Sequence, residues 1–190
     1  RKAKKSGISV TNEISLKAMK EFYRLNCLTR REHGLPPQPW AFFKNLFNSV
    51  IAKGQGFISI VRHKEESIAA DLFLLNGEKA IYKYGASNRK FFHLRPNNLL
   101  IWEGMLHCKA LGARVLNLGR TELHHAGLLQ FKRGMGCEDE KIDYFRYDCK
   151  KGSFQKGDNV CGSGFRIAAV RHAPLFTLRL LGNFAYKYMG

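Results

Sequence analysis

Negative charge is what this sequence has least of. Its 190 residues carry 15 Asp and Glu against 32 Lys and Arg, a formal net charge of +17 at pH 7. That deficit weighs against cationic partners and favours anionic ones: nucleic acid, anionic lipid or phosphorylated substrates. Cysteine offers no framework either. Cys27, Cys108, Cys137, Cys149 and Cys161 form no CxxC pair and no Cys/His ligand spacing, which excludes a zinc-ribbon or finger reading. An odd, unpatterned set suits a reducing compartment, hence a cytoplasmic location. Charge interrupts every apolar run well before the length of a spanning helix, so no spanning helix is expected. A secretory n-region, h-region and cleavage site are missing too. The chain opens on Arg1 rather than Met, and a natural N-terminus further upstream is expected. His124-His125 has no partners at metal spacing, and no carboxylate pair makes a zinc-protease or glycosidase motif. Nor does any Ser or Cys stand in a nucleophile context. The metal reading is therefore none.

What is there is enough for one sizeable core: 45% hydrophobic residues interspersed with charge, too few in total for two such cores. Between Ser15 and His33 the apolar positions Leu16, Met19, Phe22, Tyr23 and Leu28 recur at helical spacing, and Gly34 stops that helix. The LPPQP stretch is a rigid connector. Pro39 starts a second helix with an apolar stripe of Trp40, Phe43, Phe47, Val50 and Ile51, ended by Gly54. The period then changes. Phe57 to Arg62, Ser67 to Leu75 and Lys79 to Gly85 read as three strands joined by polar turns, with Asn76-Gly77 a hairpin signal. Tyr82 and Tyr84 are expected on one side of the third strand and Lys83 on the other. Pro96 starts a third helix that runs to Gly112, Ala113 to Gly119 is a short strand, and His124 to Gly134 is a fourth helix. Cys137 to Tyr147 reads as a last long strand. The order predicts an α/β fold: a mixed, mostly antiparallel sheet with helices on both faces. Three segments follow: a basic junction over 1–14, the α/β domain over 15–148, and a basic amphipathic extension over 149–190.

Five phrases carry a family likeness: FYRLNCLTRREHGLPPQPWAFF (22–43), SIAADLFLLNGEKAIYKYGASN (67–88), LRPNNLLIWEGM (94–105), LNLGRTE (116–122) and LLQFKRGMG (128–136). The element order resembles the GNAT (N-acetyltransferase) superfamily, and these phrases resemble its FemAB-like branch. Members of that branch commonly carry two GNAT-like halves, and RKAKKSG is similar to the junction into the second. The resemblance therefore implies a missing N-terminal GNAT-like half as partner. It implies transfer of an acyl or aminoacyl group to an amine, with no metal, no covalent enzyme intermediate and no tightly bound cofactor. The donor is either aminoacyl-tRNA or acyl-CoA. Acceptors in the branch include peptidoglycan precursors, with other members tied to exopolysaccharide and envelope systems. Work at the inner membrane face is the location it implies.

Candidate site residues are read against plainer roles. The usual GNAT loop that cradles a coenzyme A pyrophosphate is glycine-rich; here His93 to Asn98 contains no glycine, so close backbone approach is harder. Arg95, Asn97 and Asn98 at a helix start still form an anion site, or else simply cap the helix. The resemblance places Lys132 near the reacting carbonyl, where an ammonium steadies a developing oxyanion; Arg133 beside it is a second donor-binding candidate. The plainer role is that of cations at a helix C-terminus. Tyr84, or Tyr82, is a candidate hydrogen-bond donor or general acid, and packing is the ordinary role for both. Arg120 follows a strand at its C-terminal end, a usual ligand position, and suits phosphate or carboxylate. Glu103 and Glu122 are the candidate bases, with Asp71 a third whose burial would raise its pKa. The sequence does not choose among them. Residues 174–189 read as a membrane-surface or partner-docking helix. Two rivals stand beside the transferase reading. One is an ordinary coenzyme A-dependent N-acetyltransferase of a small amine or sugar nucleotide. The other is a non-enzymatic basic module that holds RNA or anionic membrane.

Overall fold

The computed structural model describes residues 7–155 and 164–186. The basic run Arg1 to Lys5, Cys161, Lys187 and the end of the expected docking helix lie outside the described residues. Strand β1 spans Ile8–Glu13 and helix α1 spans Leu16–Glu32. Ser15 starts α1 as predicted by its position: its Oγ accepts from Ala18 N at 3.0 Å, and Arg30 and Arg31 occupy the last turn, where cations oppose the helix dipole. Gly34, at φ 70°, turns the chain into the proline connector. Helix α2 spans Trp40–Ser49. It ends short of Gly54, contrary to the sequence expectation. Val50 leaves helical geometry and a 3-10 turn, Ile51–Lys53, follows with Ile51 fully buried. A tighter turn sinks that side chain before Gly54 reverses direction at φ 77°.

Strands β2 (Gly56–His63), β3 (Glu66–Asn76) and β4 (Lys79–Ser87) form an antiparallel meander. The first reversal uses Lys64 and Glu65, both at positive φ, and the second uses Gly77 at φ 56°. Because Asn76 pairs with Lys79, the second turn centres on Gly77 and Glu78, one residue later than the Asn-Gly signal suggests. Helix α3 (Pro96–Ala110) crosses back over the sheet, and β5 (Val115–Asn117) pairs in parallel with β4. The sheet order is β1-β2-β3-β4-β5, mostly antiparallel with helices on both faces as expected. Phe22, Phe43, Met19 and Leu25 of α1 and α2 meet Ile58, Ile60 and Leu72 on one face. Leu99, Leu100 and Cys108 of α3 meet Val61, Ala69, Phe57 and Phe73 on the other.

Helix α4 spans Ala126–Arg133, and β6 (Arg146–Asp148) pairs with β7 (Ser153–Gln155) in a separate two-stranded sheet. The long strand expected from Cys137 to Tyr147 is not formed; only its end is extended pairing. Ile142, Tyr144 and Phe145 are all exposed, so the alternation there has no apolar face to bury and no neighbouring edge to join. Helices α5 (Gly164–His172) and α6 (Leu175–Ala185) return to pack on α1.

Candidate active site

Three residues of β4 pair with β5: Lys79 with Val115, Ala80 with Leu116 and Ile81 with Asn117. Beyond them the strands part. Asn117 Oδ1 accepts from Gly119 N at 2.7 Å, and Gly119 takes φ 73°, so an Asx-type turn carries the chain away. The rest of β4, Tyr82 to Ser87, extends roughly 20 Å with no partner on that side among the described residues. The result is an open groove at the C-terminal edge of the parallel pair, where α/β sheets place their ligands.

A β-bulge shapes the groove wall. Leu72 pairs with Tyr84 but Phe73 pairs with Tyr82, which leaves Lys83 as the extra residue. A bulge re-aims the side chains around it. Tyr82 and Tyr84 consequently occupy opposite faces, a correction to strict alternation. Tyr84 packs under α1 and α2 against Phe22, Phe42 and Phe43, with ring centroids at 6.5, 6.4 and 5.8 Å. Burial, with Tyr186 close by, pushes its phenol up. Tyr82 lies under α3 with its ring 5.7 Å from Phe73 and its hydroxyl bonded to Asp71.

Asp71 is the buried carboxyl of the sheet. It is 4% exposed, and its Oδ2 has no hydrogen-bond partner among the described residues. Burial raises it well above the ordinary carboxylate range, partly offset by the Tyr82 hydroxyl. Burial and Asp71 together raise Tyr82 as well. Gly85, the register partner of Asp71, makes room for this pair. A Cβ there would collide with Tyr82 Oη. Sequence reading noted Asp71 but missed its link to Tyr82, because the bulge that joins them has no local sequence signal.

On the far side of the groove, α4 closes onto the loop after β5. Lys132 Nζ donates to Gly119 O at 2.6 Å and to Arg120 O at 3.4 Å. Its burial lowers the ammonium's pKa, against opposing contributions from Cys137 and Asp139. Arg120 pairs with Glu122 at 3.2 Å and lies 5.3 Å from the Tyr144 ring centroid. Arg133 donates to Asp139 through Nε at 2.8 Å and again through Nη2. Between Arg120 and Glu122, the Thr121 hydroxyl is buried with no partner among the described residues; sequence reading passed over it, since a lone Thr carries no pattern.

The first turn of α3 packs over the other strands, where Leu99 and Leu100 meet Ile8, Val61, Ile68 and Ala69 of β1, β2 and β3. Arg95 is its N-cap at φ 54°, with no side-chain cap bond, so Asn97 does not cap the helix. The first-turn N–H groups have no intrahelical partner. Arg95, Pro96, Asn97, Asn98 and Phe92 line an open depression of about 210 Å³. Glu103 is elsewhere. It lines a separate depression with Ile8, Val10, Asn12 and Leu99, over β1 and roughly 14 Å across the sheet from β4. Arg120, Glu122 and Lys132 thus share the segment after β5, Arg95, Asn97 and Asn98 line the depression at the start of α3, Tyr84 stands on β4, and Glu103 lies over β1. No cluster of His, Cys, Asp and Glu suited to a metal occurs among the described residues.

A sheet that parts after a short parallel β4/β5 pair is a distinctive geometry. Residues 1–133 match the acetyltransferase (GNAT) domain profile. The chain belongs to the GNAT acetyltransferase family. Solved structures resemble it over about three quarters of the chain. FemX is 18% identical with a TM-score of 0.62, over 70% of this chain and 50% of that one. The chain thus spans about half the length of FemX. Glucosamine-6-phosphate N-acetyltransferase from Arabidopsis thaliana is 14% identical, TM-score 0.54, over 74% of this chain and 97% of its own. AAC(6')-Iy, solved with a bisubstrate analogue of CoA and acetylneamine, is 12% identical, TM-score 0.59, over 75% and 99%. These identities establish a shared fold. A search of curated proteins finds no significant match.

Proposed function

We propose that this GNAT domain is the second half of a FemAB-like enzyme that moves an acyl or aminoacyl group to the amine of a cell-envelope precursor at the inner membrane face. The observation that carries the reading is the groove opened where β5 leaves β4 after Ile81. Arg120 and Lys132 lie on the segment that follows β5, and Arg95 lines the depression at the start of α3. The fold likeness to FemX supports the branch.

In the proposed reaction the acceptor amine first gives a proton to Glu122, which lies beside Arg120. The free amine attacks the donor carbonyl and forms the new C–N bond. Negative charge on the carbonyl oxygen is met by the Lys132 ammonium, which keeps a third N–H besides those on Gly119 O and Arg120 O. The bond to the leaving sulfur or ribose oxygen then breaks; the Tyr84 hydroxyl supplies its proton and takes back the second proton that the acylated nitrogen sheds as it becomes the neutral amide. Tyr84 suits that role because burial keeps its phenol protonated. Arg95, Asn97, Asn98 and Arg133 hold the anionic part of the donor: tRNA, acyl-CoA or a phosphorylated precursor.

A second reading, a coenzyme A-dependent N-acetyltransferase, is favoured by the open depression at the α3 N-terminus and by the CoA analogue in the AAC(6')-Iy structure. Calorimetric titration separates the two. Micromolar binding of acetyl-coenzyme A at physiological salt selects the second reading; binding of charged tRNA without it selects the first. Lys132→Ala tests the chemistry: transfer falls about a hundredfold with the fold intact, and full activity sinks the assignment.

A further inference from the structure

Helix α6 is held in one orientation. Leu178 is 2% exposed, and a Cβ on Gly182 would collide with Pro37 O, so the helix backbone sits directly on the proline connector. Arg179 stacks over the Tyr23 ring at 5.3 Å, and Arg30 Nη2 donates to Tyr186 Oη at 2.7 Å. With that face committed, Phe176, Leu180 and Leu181 point outward and are 70%, 45% and 49% exposed. Phe176 and Leu180, four apart, stand on one ridge, and Leu181 adjoins it on the flank.

Cations collect where α1 and α5 end, two residues ahead of α6. Arg171, at the end of α5, donates to Glu32 O at 2.9 Å. Arg89 lies 3.8 Å from the Glu32 carboxylate and is itself mostly exposed. Burial first, then Arg30, Arg89 and Arg171, depress the His33 imidazole. Three guanidinium groups therefore crowd one spot, and Glu32 is the acid seen against them. The sequence adds no relief: residues 159–190 contain no Asp or Glu.

We propose that the outer ridge of α6 and this arginine cluster form one docking surface for an anionic lipid bilayer. An apolar ridge flanked by cations matches the interface between acyl chains and anionic headgroups. A protein partner fits less well, because interface cores are depleted of charge, and three side chains fall far short of the roughly 800 Å² per partner of a stable interface. The proposal deepens the envelope reading by giving the enzyme a physical hold on the membrane, and it rests on that reading only for its purpose. Its test needs no transfer assay, so the two fail separately.

The full chain is sedimented at physiological salt with phosphatidylglycerol-containing vesicles and with pure phosphatidylcholine vesicles. Binding to the anionic vesicles alone is expected, at least tenfold weaker in Phe176→Ser/Leu180→Ser and in Arg89→Gln/Arg171→Gln. Circular dichroism checks that both variants are folded. Phe176→Trp provides a second readout that keeps the ridge intact: the emission of the introduced indole shifts to the blue on adding anionic vesicles and is quenched by bromolipids in the acyl region. Absent vesicle binding overturns the proposal, as does binding that ignores the ridge variants or indole emission that does not move. Concentration-dependent dimerisation lost in the ridge variant would assign the face to a second copy instead.

Discussion

The sheet up to β4 and the region after β5 treat their charges in opposite ways. In the first, polar side chains tie elements together. Arg62 of β2 reaches Glu13 at 2.9 Å and Glu21 at 2.8 Å, while Arg24 of α1 donates to Ser67 O at 2.6 Å. Thr29 and Ser87 exchange hydrogen bonds at 3.2 and 2.9 Å. In the second, the ion pairs join residues near in sequence and lie in open solvent: Arg120 with Glu122, Arg133 with Asp139, Lys141 with Asp143. Such exposed pairs are worth about 1 kcal/mol or less. The cost of separating them is small. A rigid sheet thus presents a groove whose cations remain exchangeable.

The comparison breaks most visibly in the core. Phe43→Ala, at a fully buried position touching Phe22 and Tyr84, is expected to cost about 3–5 kcal/mol in denaturant unfolding. A loss under about 1 kcal/mol would show that α2 is not part of the rigid body. Asp71 gives a smaller, pH-dependent effect. Its folded pKa is raised by burial, so its contribution to stability is full below the unfolded value of about 3.9 and is lost as pH rises through the folded value. Asp71→Asn removes this titration. Its thermal midpoint should therefore fall less than the wild type's between about pH 4 and pH 8, and parallel curves would mean Asp71 is not held protonated. The smallest effect belongs to the second region. Arg133→Ala should change stability by less than about 1 kcal/mol while weakening donor binding; the reverse pattern would make the Arg133–Asp139 pair structural.

Much of the frame was legible because its signals are local. Ser15, Gly34 and Pro96 mark helix ends by the hydrogen bonds or φ angles they permit, and the meander shows in turn residues and period. The glycine-free start of α3 was also readable, as were the cations around the groove. Less legible was what depends on pairing. The bulge at Lys83 sends Tyr82 and Tyr84 to opposite faces, and Cys137 to Tyr147 alternates as a strand would but has no edge to pair with. Glu103 and Glu122 are equal candidates by residue type, and only strand order separates them: Glu103 lies over β1 and Glu122 follows β5.

The sequence by itself determined the fold class, the family likeness and the strongly positive net charge, because period, capping and charge are properties of neighbouring residues or of simple sums. Tertiary structure alone decided that Glu103 lies over β1, that Asp71 and Tyr82 share a buried bond, and which face of α6 remains outside. Each of those depends on register, bulge and packing between segments distant in the chain, where a shift of one residue reverses the facing of every side chain.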